Sequence, residues 1–495
     1  MKLVHWLAHF ILLFGLCAGS ISAQDMRDHW IVGLGSYVRF ESGGPVYVGQ
    51  VPMETSEGTS SISDTFGQLQ AYAYPGAVFN AAFDTMQNGR LTYACLGPLG
   101  SSTITQGSLL LPSSNQDDED RLILLSINSD STGICGRRFL YRRIIDMQEN
   151  GGLGGIVEDE TQVVASFISE QLTAVRHGNG KDWWIIVRNA LPSFYSTSNE
   201  FIVLLMHSDT IVKTQYFSTI VSSKAGELVA SPDGTKLAQA NAFNLGDSTS
   251  QALMLYDFDR CEGVISNEHI VDVNRNTYGA AFSSNSEKLY LGTLDGTTEY
   301  CAIVQFDLSD TAYPYQLVYL DTEVRHCPGL FELGPDGKVY FTMPFCLGST
   351  PDSLSTYLHA IEFPDSVGPA CEVNLYKLAL NSGIICSANL PNHPNYYLGA
   401  DPNNCGDTTT ALETLTVDVG WKLYPTVAQK AFVLELPVGV QAEAFILDAV
   451  GRVVKQAALK PGKTRIDVSS WPSGMYRVAL RQDGRYLGAK TVVRP

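Results

Sequence analysis

Apolar and polar positions alternate with a period of two along most of the chain, in short runs punctuated by Gly, Pro, Asn, Asp and Ser. Three stretches share one plan. ASPDGTKLAQA (230–240), FSSNSEKLYLG (282–292) and LGPDGKVYFT (333–342) each place a tight turn before an alternating apolar strand. A second strand-like element follows each: LMLYDFDRCEG (253–263), AIVQFDLSD (302–310) and LHAIEFPDSVG (358–368). Asp257 and Asp307 are 50 positions apart, and Leu237 and Leu289 are 52 apart. A repeat of that length holding several strands predicts a β-propeller, whose four-stranded blades bury their faces only against one another.

Weaker versions of the unit precede these, in SISDTFGQLQAYAY (61–74), TQGSLLLP (105–112), RLILLSI (121–127) and TAVRHGNGKDWWIIVR (173–188). Helical periodicity is nearly absent, so the expected class is all-β, with about seven blades over 24–407. HWIVGLGSYVRF (29–40) is the expected closing element, completing the last blade so that no edge stays free. A Thr-rich linker at 408–420 then leads to a different pattern. LYPTVAQKAFVLEL, QAEAFILDAVGRVVKQA, TRIDVSS and GMYRVALRQDGRYLGAKTVVR read as short strands of a small immunoglobulin-like β-sandwich over 421–495.

Charge supports that boundary. The chain carries −18 overall, yet from Trp421 onward twelve bases face five acids, a balance of +7 that leaves −25 on the rest. So acidic a body argues against nucleic acid, whose phosphates require clustered Lys and Arg. The first 23 residues follow the plan of a secretory signal peptide: Lys2, an apolar run to Leu16, then small residues, with cleavage expected after Ala23. No other run reaches the ~18 apolar residues of a membrane helix, so no transmembrane segment is expected once the signal is removed. Nine cysteines follow the signal, at 95, 135, 261, 301, 327, 346, 371, 386 and 405. Export permits disulfides, an odd count leaves one thiol over, and the closeness of Cys371, Cys386 and Cys405 suggests a bridge among them.

Candidate chemistry is sparse. His177, Asn179, Lys181 and Asp182 beside Trp183 and Trp184 form the most polar cluster next to aromatics, and read either as a base or ligand or as a turn whose side chains satisfy backbone amides. NQDDEDR (115–121) has carboxylates for calcium but lacks the alternation of a dedicated loop, and NSDSTG (128–133) has too few acids. NGGLGG (150–155) is not followed by the Lys-Ser/Thr of a phosphate loop, and neither GxSxG nor HExxH occurs. Tyr195, Tyr396 and Tyr397 are candidates for stacking on sugars or for ordinary packing. No catalytic, cofactor-binding or metal-ligating residue is assigned. The expected function is non-catalytic binding of a protein or glycan. The alternatives are an extracellular hydrolase with acids at the channel and a structural surface or gliding component.

Two resemblances add an address. LYPT (423–426), LDAVGRVV (447–454), WPSGMYRVAL (471–480) and a terminal strand containing Lys490 resemble the type A C-terminal sorting domain of the type IX secretion system of Bacteroidetes. The matching positions are Tyr424, Pro425, Gly451, Arg452, Pro472, Ser473, Gly474, Tyr476 and Lys490; the opening departs from the usual Tyr-Pro-Asn-Pro, reading YPTV. The resemblance implies contact with that secretion machinery and passage through the outer membrane to the cell surface or exterior. TSEGTSSISDTFGQLQAY, NGGLGGIVEDE, LTAVRHGNGKDWW, LYDFDRCEG and NLPNHPNYYLG resemble the WD-repeat-like propeller proteins that carry such a tail, which implies a fold and no reaction.

Overall fold

A computed structural model describes residues 25–53, 55, 57–91, 104–115, 118, 120–129, 137–157, 161–190, 197–220, 225–241, 253–271, 275–295, 301–321, 327–344, 353–380, 389–401, 405, 421–447, 453–482 and 485–495. Among the described residues, six sheets, one of them nine-stranded and spanning two blades, make up seven blades that follow one another in sequence. Blades 4 to 7 each contain four antiparallel strands in sequence order, with inner strands Ile168–Arg176, Leu228–Ala230, Arg275–Phe282 and Phe331–Leu333. Blade 2 begins with the inner strand Ser60–Ser63 and blade 3 with Ser108–Pro112. These two are joined along their outer edges by the short strand Gly155–Ile156, which pairs with both. The signal-peptide segment lies outside the described residues.

The repeat has a physical cause that recurs at one register position. The turn motifs SPDG, SSNS and GPDG connect the inner strand of blades 5, 6 and 7 to the second strand. Within two residues of each turn comes a lysine that bonds to an acid across the sheet: Lys236 to Asp257 at 2.9 Å, Lys288 to Asp307 at 3.0 Å, and Lys338 to Glu362 at 2.6 Å. Alternate side chains enter the clefts between blades, where Trp30, Trp183, Trp184 and Tyr290 are fully buried.

Blade 1 closes the ring: HWIVGLGSYVRF shares it with the last segment of the propeller chain and adds no strand to blade 7. His29–Val32, Ser36–Glu41 and Gly44–Gln50 form a sheet of their own and do not extend the last blade. The turn at Gly33 and Gly35, both at positive φ, folds HWIVGLGSYVRF back on itself, with His29 opposite Arg39. The inner position of this blade is taken by residues 389–393. Gly33 N–H donates to the Asn389 carbonyl, Asn392 N–H donates to the Thr59 carbonyl at 2.9 Å, and Pro391 bridges Thr59 in parallel. Trp30 then packs edge-on against Tyr340 of blade 7, sealing the joint. Both ends of the propeller chain therefore meet in one blade.

Residues 421–495 fold around a separate core of Trp421, Leu434, Ile446, Val478 and their neighbours. One sheet contains Lys422–Tyr424, Ala431–Leu436 and Gly462–Asp467; the other contains Ala442–Leu447, Val453–Leu459, Gly474–Gln482 and Arg485–Arg494. Disulfides join Cys261 to Cys405 and Cys301 to Cys327. The suggested bridge among Cys371, Cys386 and Cys405 does not form: Cys405 is drawn to blade 5, and Cys371 is a buried thiol outside any disulfide. Cys95, Cys135, Cys346 and Cys386 lie outside the described residues.

Candidate functional site

The inner strands run parallel to one another, so their first residues gather at one end of the channel and their turns at the other. At the first end a chain of hydrogen bonds spans the ring. Tyr278 of blade 6 donates its hydroxyl to Glu57, before blade 2, and lies 3.1 Å from the Thr105 hydroxyl of blade 3. Thr105 donates to Glu170 of blade 4 at 3.1 Å, and Glu170 holds Arg138 at 2.9 Å. Gln106 adds a second tie, donating to the Leu228 carbonyl at 3.0 Å and accepting from the Leu228 amide at 2.9 Å. Burial pushes the Tyr278 hydroxyl well above its ordinary pKa, which keeps it a donor.

Behind this network lies a cavity of about 290 Å³ that extends to the turn residues Pro232, Ser284 and Pro335. Two carboxyls line it. Glu227 reaches from blade 5 across to blades 6 and 7, accepting from the backbone N–H of Ala280 at 2.8 Å and of Phe331 at 3.2 Å. Burial raises its pKa to about 8, against the pull of those two amides and helped by nearby Glu57. Glu332 sits on the inner strand of blade 7. Burial, then the proximity of Glu227, pushes it well above the usual carboxyl range. Arg27 also lines the cavity but is paired with Asp25, at 2.8 and 3.1 Å. His393 holds the Ser61 carbonyl at 3.0 Å through Nε2, and burial takes its pKa down to about 3. None of Glu57, Glu170, Glu227, Tyr278 or Glu332 was singled out by motif. The available signal was faint: an acid set among apolar residues in the repeat strands GEL and FEL.

After leaving the channel, residues 394–401 cross the turn face. Asn395 donates to the Pro232 carbonyl at 2.7 Å, the buried Tyr396 hydroxyl donates to the Leu110 carbonyl at 2.8 Å, and Asp401 N–H donates to the Gly178 carbonyl at 2.8 Å. Cys405 then bonds to Cys261, in the turn between the third and fourth strands of blade 5. Gly178 is required here, because a β-carbon would lie 1.9 Å from the Cys405 sulfur.

The polar cluster near Trp183 belongs to this crossing. His177 Nδ1 accepts from Asn179 N–H at 2.9 Å while Nε2 lies 3.0 Å from the Cys261 carbonyl; Asp182 accepts from the Asn179 side chain at 2.8 Å. Trp184 donates to the Arg260 carbonyl at 2.7 Å. The ring of His177 is thus committed on both nitrogens to fixing a turn. Asp118 accepts from the Asn115 side chain at 2.7 Å and Asn128 donates to the Pro75 carbonyl at 2.6 Å, so the described parts of both oxygen-rich stretches also serve turns. Tyr396 is a packing residue, Tyr397 is half-exposed and accepts from Met26 N–H at 2.8 Å, and Tyr195 lies outside the described residues. Among the described residues, the one grouping of potential metal ligands is Cys261, Asp401 and Cys405, and its two sulfurs are bonded to each other.

In the sandwich the motif residues converge. The Tyr424 hydroxyl donates to Glu435 at 2.6 Å, and Pro425 leads into Thr426, whose carbonyl accepts from Val493 N–H at 2.8 Å. Ser473 donates to the Pro495 carbonyl at 3.0 Å, Gly474 faces Arg494, and buried Tyr476 donates to the Pro472 carbonyl at 2.7 Å. Lys490 places its ammonium 5.0 Å from the centre of the Trp421 ring. The opening motif, the WPSGMY turn and the last strand are therefore neighbours. Gly451 and Arg452 lie outside the described residues.

Comparisons with known proteins identify the C-terminal segment. Residues 422–494 match the family described as "Secretion system C-terminal sorting domain". No curated protein matches the whole chain significantly in sequence. Solved structures similar to it include Pseudomonas aeruginosa periplasmic gluconolactonase (13% identity, 94% of this chain and 99% of that one, TM-score 0.39). A putative 6-phosphogluconolactonase from Bacteroides uniformis shows 12% identity over 94% of this chain and 100% of that one, TM-score 0.35. The Cps50 β-propeller domain of Myceliophteria thermophila shows 10% identity over 64% and 91%, TM-score 0.38. At such similarity no activity transfers to this chain. No helix among the described residues is long and apolar enough to cross a membrane. The chain is a β-propeller bearing a type IX secretion C-terminal sorting domain, and it is exported across the outer membrane to the surface or exterior.

Proposed function

We propose that the exported propeller is a non-catalytic binding module whose channel cavity receives part of a protein or glycan partner. One observation carries this reading: several titratable groups in and beside the cavity are engaged by the protein itself. Glu227 holds two backbone amides, Arg27 holds Asp25, Glu170 holds Arg138, and His393 holds Ser61. Hydrolysis needs an acid and a base, or a nucleophile and a base, poised toward a shared reacting atom. Groups spread over separate blades and fastened to backbone suit recognition better. The test is affinity capture and glycan-array binding with the mature chain, alongside hydrolysis assays on ester, lactone and glycoside substrates. Saturable binding without turnover is expected; turnover abolished by Glu227→Gln or Glu332→Gln would overturn the reading.

A further inference from the structure

We propose that the channel cavity accepts a primary alkylammonium group, as carried by a lysine side chain of a partner protein. The inference rests on the binding-module reading and narrows its ligand. Glu227 and Glu332 face the same cavity from blades 5 and 7, and neither forms an ion pair among the described residues. Of the two guanidinium groups that line the cavity, Arg27 is matched by Asp25, and Arg176 is turned to the Lys181 and Tyr396 carbonyls, leaving two carboxyls against one guanidinium without an acid partner among the described residues. Ionised, the cavity therefore carries surplus negative charge inside a low-dielectric enclosure, where a single compensating cation gains most. Burial, and to a smaller extent a neighbouring acid, pushes both carboxyls toward their protonated forms in the free protein; an entering ammonium takes the place of the proton.

The remaining wall selects among cations. Val175, Val229, Ala281, Leu330 and Leu398 supply the apolar part of a lining that also holds Thr173, Ser231 and Asn392. A four-carbon stem with a terminal charge can lay its methylenes on those apolar residues while the ammonium reaches the acids. The strongly acidic body of the chain steers cations toward the opening.

The test is isothermal titration of the mature chain with Nα-acetyl-lysine amide, with Nα-acetyl-norleucine amide as the neutral isostere and D-glucosamine as the amino-sugar arm. The lysine derivative is expected to bind at least ~tenfold more tightly than either control, and Glu332→Gln to weaken it by ~tenfold or more. Glu227→Gln provides a second variant should the first fold poorly, and the thermal transition of each verifies folding. Equal binding of norleucine amide, tighter binding of glucosamine, undiminished binding by both folded variants, or no binding of the lysine derivative by folded wild type would each overturn the proposal. Failure here alongside saturable partner binding leaves the binding-module reading standing; turnover by the channel acids removes both.

Discussion

The lysine–acid pairs that mark the repeat make a graded prediction. Glu362 accepts from Lys338 at 2.6 Å, from Lys377 at 2.7 Å and from the Asn374 side chain at 2.7 Å, with its side chain only 13% exposed. Burial acts against its ionisation, yet the bonds from Lys338, Lys377 and Asn374 win and hold its pKa at about 2 instead of 4.5. A carboxyl displaced that far contributes at most ~3 kcal/mol, and screening by water at the blade rim reduces this to ~1–2 kcal/mol. Because the folded pKa is the lower one, the contribution is complete above the unfolded value near 4.5 and disappears as pH falls through about 2. Glu362→Gln should therefore lower stability by ~1–2 kcal/mol at pH 7 and by almost nothing at pH 2. Urea unfolding of wild type and variant, followed by tryptophan fluorescence across that range, measures it. Lys236 and Asp257 bond at a similar distance but are 31% and 43% exposed, so removing that pair should cost ~0.5 kcal/mol or less. Equal losses at the two sites, or a Glu362→Gln loss that persists at pH 2, would refute the argument that enclosure sets the strength of these pairs.

Further outcomes follow from other parts of the fold. Cys405→Ser opens a loop of 144 residues and should cost ~2–5 kcal/mol in the unfolding of the oxidised protein; a loss below ~0.5 kcal/mol would show that the crossing segment is held by its hydrogen bonds alone. Glu227 ionises at about 8 when folded, so folding takes up a proton between pH 4.5 and 8 and stability falls as pH rises through that window. Glu227→Gln should flatten this slope and gain on wild type by ~2 kcal/mol at pH 8 relative to pH 5, read from urea midpoints; an unchanged slope would contradict it. Deleting 423–495 removes a domain with its own core and should leave a folded propeller in the periplasm, detected by fractionation; normal surface display would refute the sorting role.

Much of this fold was legible because local chemistry repeats where geometry repeats. Asp-Gly and Asn-Ser turns, the lysine after each turn and the acid across the sheet all recur, so blades 5 to 7 could be read from the residues themselves. The tail was equally readable, since Tyr424, Pro472, Gly474 and Tyr476 occupy strand ends and turns whose demands are local. Blade closure was not. That residues 389–393 lie beside Val32 and Thr59 depends on the ring being complete, and nothing in NLPNH announces a partner more than three hundred positions away. The cavity acids were hidden for the same reason: Glu227 meets Ala280 and Phe331 only when three blades converge. His177 shows the reverse error risk, since polarity beside tryptophans looked like chemistry and serves a turn.

The Cys261–Cys405 bond has a mechanical consequence. Residues 389–393 precede the tail in the chain, so without a cross-link a pull applied beyond residue 405 would act on their hydrogen bonds in blade 1. The disulfide diverts that load to the turn of blade 5, shielding the strand that seals the ring. A pull on the tail is thus borne by blade 5 before it reaches the seam.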